Sequence, residues 1–169
     1  MKRQLLEKTI LQLATLGVLG TRFPAPGTMG TLAGMMVFAY FVSFHEAEIL
    51  WCCFFSLILF GVGVPICSIS EKITGLKDPP SIIWDEFCVI PFIFICLDDT
   101  SLNHSSLHLC FWLSLGFLFF RFFDILKPFG IKKLQSLPRG WGVMTDDLVA
   151  ALFASVILGI LQTLPLSFL

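Results

Sequence analysis

Residues 107–128 read LHLCFWLSLGFLFFRFFDILKP, and this stretch decides the architecture. Its first fourteen residues contain no Asp, Glu, Lys or Arg; then Arg121, Asp124 and Lys127 follow at intervals of three. At roughly 100° per residue, steps of three keep all three charges within a sector of about 120° on one helix. The Lys127-Pro128 pair ends that helix, because proline cannot continue it. One face of the helix therefore meets something charged, at the edge of a segment apolar enough for lipid.

The composition agrees with a membrane protein. Hydrophobic residues make up 56% of the 169-residue chain and charged residues 14%, against about 25% charged in a soluble domain. Mean hydropathy is +0.88. The length suits one domain over residues 1–169. A net charge of −1 gives no reason to expect nucleic acid. The six cysteines lie within apolar stretches without metal-ligand spacing, so they read as small hydrophobes.

Four uncharged stretches are long enough to cross a bilayer, which needs ~20 apolar residues: 24–44, 49–70, the region ending at Phe120, and 148–169. A fifth, 87–97, is short, and reaches crossing length only if residues 82–86 enter the headgroup level. The N-terminal LLEKTILQLATLGVLG places Leu5, Leu6, Leu13 and Leu16 at roughly helical spacing. It reads as an amphipathic surface helix, since Glu7 and Gln12 interrupt it as a signal peptide. The expected fold is all-α: a multi-pass helical bundle of about five hydrophobic helices plus this N-terminal helix.

Charge placement orients the bundle. All eleven Lys and Arg fall in residues 2–22, 72–77 and 121–139. Five crossings put these three segments on one side, while Glu46, Glu48, Asp98, Asp99 and no cation face the other. The positive-inside rule makes the basic side cytoplasmic, with Leu169 opposite.

Four polar clusters share the basic side. In RFPAPGTMGT (22–31), Gly27 permits close backbone contact and Thr28 can cap the following helix, whose free N–H groups suit a phosphate. An ordinary helix start is the alternative. In KDPPSIIWDEF (77–87), Asp85 and Glu86 point about 100° apart, so that one binds a metal and the other a cation, or both merely favour a helix N-terminus. Asp124 ligates a cation while Arg121 and Lys127 hold an anion, or the three neutralise one another. In RGWGVMTDDL (139–148), Gly140 and Gly142 loosen a loop and Asp146 and Asp147 stand at a helix start. Together, carboxylates beside Lys and Arg at a membrane face suit Mg²⁺ and a phosphorylated headgroup. His45, His104 and His108 all fall toward the other side, which argues against a histidine-based phosphoenzyme.

These motifs resemble the phosphatidylglycerophosphatase A family. The matching segments are APGTMGTLA (25–33), IWDEF (83–87), FRFFDILKP (120–128) and GWGVMTDD (140–147), in the family's order. Val89, Gly130, Arg139 and Ala151, with the Pro79-Pro80 pair, depart from its pattern. The resemblance implies a Mg²⁺-dependent phosphatase of the bacterial cell membrane, converting phosphatidylglycerophosphate to phosphatidylglycerol. Asp85, Glu86, Asp124, Asp146 and Asp147 are the expected metal shell. Asp124, Lys127, Asp85 and Asp147 are the expected catalytic groups, and Gly27, Thr28, Arg121 and Lys127 the phosphate holders. The main alternative is a small transporter with an intramembrane carboxylate cation site, although no paired half-repeats are visible.

Overall fold

The computed structural model describes residues 2–45, 47–103 and 105–164. Glu46, His104 and residues 165–169, which the sequence reading places toward the far side, lie outside the described residues. In lipid every backbone N–H and C=O must find an internal partner, so long apolar stretches become helices. Among the described residues the chain is helical, without strands. The elements are α1 (Lys2–Ala14), α2 (Leu19–Arg22), α3 (Pro26–His45), α4 (Ile49–Thr74), α5 (Trp84–Cys88), α6 (Ile90–Ile93), α7 (Asp99–Asn103), α8 (Ser106–Leu126), α9 (Ile131–Leu134) and α10 (Gly140–Gln162). Four of them, α3, α4, α8 and α10, are long and apolar enough to span a membrane.

The segment expected as a fifth crossing is broken into two short helices, α5 and α6, and is not among the four long enough to span. It runs from Ile83, whose N–H donates to Ala14 O at 2.9 Å, to Asp99, whose carboxylate accepts from Ile49 N–H at 2.8 Å. It thus connects one end of the bundle to the other. The four long helices wrap it: Ile83, Val89, Ile90, Ile93 and Phe94 are fully buried. Glycines open the seats for this packing, as small residues do in membrane interfaces. A Cβ on Gly34 of α3 would come within 2.5 Å of Ile90, and one on Gly116 of α8 within 2.6 Å of Phe94. Phe38 of α3 stacks on Phe94 with ring centroids 4.9 Å apart.

Several boundaries differ from the sequence expectation, and each difference moves a functional residue. Helix α3 begins at Pro26, so Thr28 lies inside its first turn rather than capping it. Helix α10 begins at Gly140, not at 148, and ends at Gln162. Gly140 and Gly142 are therefore buried helical residues, not loop looseners. The N–H of Gly140 donates to Ser68 Oγ at 3.0 Å, and a Cβ there would collide with the Val64 carbonyl of α4. Asp146 and Asp147 consequently sit two turns into the helix. In α1 it is Ile10, Leu11 and Ala14 that turn inward, whereas Leu5, Leu6 and Leu13 are exposed and Leu16 lies past the helix.

Candidate active site at the charged end of the bundle

Arg121, Asp124 and Lys127 at the end of α8 lie on the wall of a cavity of about 300 Å³ at the charged end. Its lining combines Ala25, Pro26 and Gly27 before and at the start of α3 with Asp78 and Pro80 of the α4–α5 loop. Asp85 and Glu86 of α5 join Arg121, Asp124 and Lys127 from the end of α8, and Asp146 and Asp147 from α10. Six carboxylates thus face two cations, a formal charge of −4 when all are ionised. The four motif segments, far apart in the chain, converge here.

The acids divide into two groups. Asp85, Glu86 and Asp147 each offer a carboxylate oxygen within 4.8 Å of the others. At that spacing, ionised pairs repel by about 3 kcal/mol each at an effective dielectric of ~20. Asp85 and Asp147 are only 5% and 3% exposed. Asp124 and Asp146 are instead held by the cations. Arg121 Nη1 donates to Asp124 Oδ2 at 2.6 Å and lies 3.9 Å from Glu86 Oε1. Lys127 Nζ donates to Asp146 Oδ2 and stands 3.9 Å from Asp124 Oδ1. The expected five-acid metal shell is thus three acids in mutual reach and two engaged on cations. Adjacency on a helix explains the division of Asp146 from Asp147: about 100° of rotation turns one to Lys127 and the other to α5.

Backbone geometry aims these groups. Lys127 caps α8 in the left-handed region (φ 44°, ψ 51°), its N–H donating to Phe123 O. This conformation costs a non-glycine residue about 1 kcal/mol or more. Burial works against the charged ammonium, but the hydrogen bond and charge of Asp146 outweigh it and push the Lys127 pKa up to about 12. Helix α5 is pinned from α4: Trp84 Nε1 donates to Leu59 O at 3.2 Å, and Ser56 Oγ to Cys88 O at 2.6 Å. Sequence reasoning missed these two anchors, which carry no spacing signal. It also left Asp78 outside the main set, although the residue lines the cavity and accepts from Gln135 Nε2 at 2.9 Å.

Gly27 comes close to the site through its own protein: a Cβ would collide with Glu86 Oε1 and lie 3.3 Å from Arg121 Nη1. Thr28 does not line the cavity.

Four buried carboxylate oxygens here have no hydrogen-bond partner: Asp85 Oδ1, Glu86 Oε2, Asp146 Oδ1 and Asp147 Oδ2. Buried acceptors are normally satisfied, and leaving one unmet costs ~1–3 kcal/mol. Oxygen-only donors, an excess of negative charge and orphaned lone pairs fit a hard divalent cation such as Mg²⁺.

Comparison with known proteins agrees with the motifs. A family model described as phosphatidylglycerophosphatase A matches residues 12–162. A Haemophilus influenzae protein named phosphatidylglycerophosphatase A is 33% identical over 144 residues, covering 85% of this chain and 82% of its own length. An Escherichia coli (strain K12) protein of the same name is 32% identical over 136 residues, covering 79% and 72%. A Bacteroides thetaiotaomicron protein named "Putative phosphatidylinositol-3-phosphatase" is 26% identical over 138 residues, covering 80% and 82%. No solved structure matches the chain. The chain belongs to the phosphatidylglycerophosphatase A family.

Proposed function

We propose that this protein is a Mg²⁺-dependent phosphatase that removes the terminal phosphate of phosphatidylglycerophosphate, giving phosphatidylglycerol. The observation that carries the reading is the set of orphaned carboxylate oxygens around Asp85, Glu86 and Asp147, beside Arg121 and Lys127. With its six carboxylates ionised, the cavity repels a phosphate unless a cation enters with it. The family's name supplies the lipid, and the positive-inside bias supports a cavity at the cytoplasmic headgroup level of a bacterial membrane.

In this mechanism Asp85, Glu86 and Asp147 would hold the ion. When bound, Mg²⁺ offsets the carboxylate charge, orients phosphate oxygens and makes water a better nucleophile. Arg121 and Lys127 sit 3.9 Å or less from the acids they balance and are positioned to turn onto phosphoryl oxygens. That exchange frees Asp124, which accepts the proton of the attacking water. The ester P–O bond breaks, and the proton passes to the departing alcohol oxygen. Asp146 holds Lys127 in place between turnovers.

Phosphate release from phosphatidylglycerophosphate in detergent micelles tests the reading, with phosphatidylinositol 3-phosphate and phosphatidic acid alongside. Preferential release from the first is expected. Folded protein that releases phosphate from none of the three ends the proposal.

A further inference from the structure

We propose that the groove between α3 and α8 is the seat of an acyl chain of the phospholipid whose phosphate enters the charged cavity; this rests on the lipid-phosphatase reading above. The groove encloses about 440 Å³ between Leu32, Met35 and Met36 of α3 and Leu113, Phe117 and Leu118 of α8.

The same two helices build both sites. Gly27 of α3 and Arg121 of α8 line the charged cavity. Leu32, five residues on, and Leu118, three residues back, line the groove. At 1.5 Å per residue the groove begins roughly 5–8 Å from the cavity along the helix axes. It reaches Ala39, about 18 Å beyond Gly27. The hydrocarbon of one leaflet is ~15 Å deep, so a lipid with its phosphate in the cavity has its chains level with the groove.

The groove opens sideways, where a chain would arrive. Met36 is 69% exposed and Leu118 61%. Met35 and Met36 add unbranched, adaptable side chains that tolerate differing chain shapes. A second apolar cavity, about 390 Å³ between α3 and α4, also comes near the charged site at Phe87, next to Glu86, but runs away from it. It extends to Phe41, Ala47 and Trp51 at the opposite end of the bundle.

The test compares kcat/KM for a long-chain phosphatidylglycerophosphate with that for a water-soluble short-chain analogue. Leu118→Trp, which fills the groove, is expected to lower the long-to-short ratio about tenfold. Ile58→Trp, in the second cavity, should leave the ratio at the wild-type value. As an independent readout, a lipid carrying a mid-chain photoreactive group should label residues 32–39 and 113–118. An unchanged ratio in Leu118→Trp, or labelling confined to residues 41–59, overturns the acyl seat while phosphatase activity stands. Absence of turnover on both substrates by the wild-type protein defeats the underlying reading instead.

Discussion

The two ends of the bundle treat their acids in opposite ways. At the far end, Asp99 accepts from the Ile49 N–H, and Asp98 Oδ2 accepts from Gln162 Nε2 at 2.7 Å. Both acids are exposed, and each ties together helix ends with neutral partners. At the charged end, Asp85, Asp146 and Asp147 are buried, stand close to like charges and keep oxygens unpaired. Residues that serve only packing do not need such a cost. The difference separates acids that close the fold from acids held ready for a ligand.

The largest test of this contrast removes one carboxylate of the close trio. Asp85→Asn or Asp147→Asn should lower phosphate release on the order of 10²–10³-fold. The metal-free protein should nevertheless melt higher, because a like-charge repulsion is gone. Equal loss of stability and activity would mean that these acids hold the fold together.

Lys127 sharpens the comparison because it is both a structural and a chemical group. Lys127→Met should cost about 100-fold in turnover and about 3 kcal/mol in stability, since Asp146 is left buried without its cation. Adding Asp146→Asn should restore the melting temperature but not the activity. Recovery of both would reduce Lys127 to a packing partner.

Gly27→Ala is a smaller disturbance. The added methyl meets the end of the Glu86 side chain, which can move, so the fold should survive while turnover falls about tenfold. The smallest effects belong to the far end. Asp98→Asn and Asp99→Asn should change turnover less than about twofold and stability by about 1 kcal/mol. A large loss of turnover there would erase the distinction between the ends.

Much of this was legible in the sequence. The gathering of charged segments at one end of the bundle followed from the sequence, because apolar helices leave few places where Lys and Arg can lie. The convergence of residues 25–33, 83–87, 120–128 and 140–147 followed from five crossings. What the sequence could not reveal depends on partners distant in the chain. The 87–97 stretch is too short to cross alone, and only its burial among four helices accounts for it. Gly140 looked like a loop residue because nothing local marks the α4 backbone against which it packs. The division between Asp146 and Asp147 depends on how α10 is rotated toward Lys127. Two departures from the family pattern also stand at positive φ: Arg139 at 57°, strained for a side chain, and Gly130 at 86°, which glycine adopts freely.

The central claim is that the carboxylate trio admits phosphate only with a divalent ion. Its most direct test is phosphate release from phosphatidylglycerophosphate by the purified protein, titrated with Mg²⁺ after treatment with a chelator. The account predicts no turnover in chelator, saturable recovery with Mg²⁺, and little recovery in Asp147→Asn at the same concentrations. Undiminished turnover in excess chelator would contradict it.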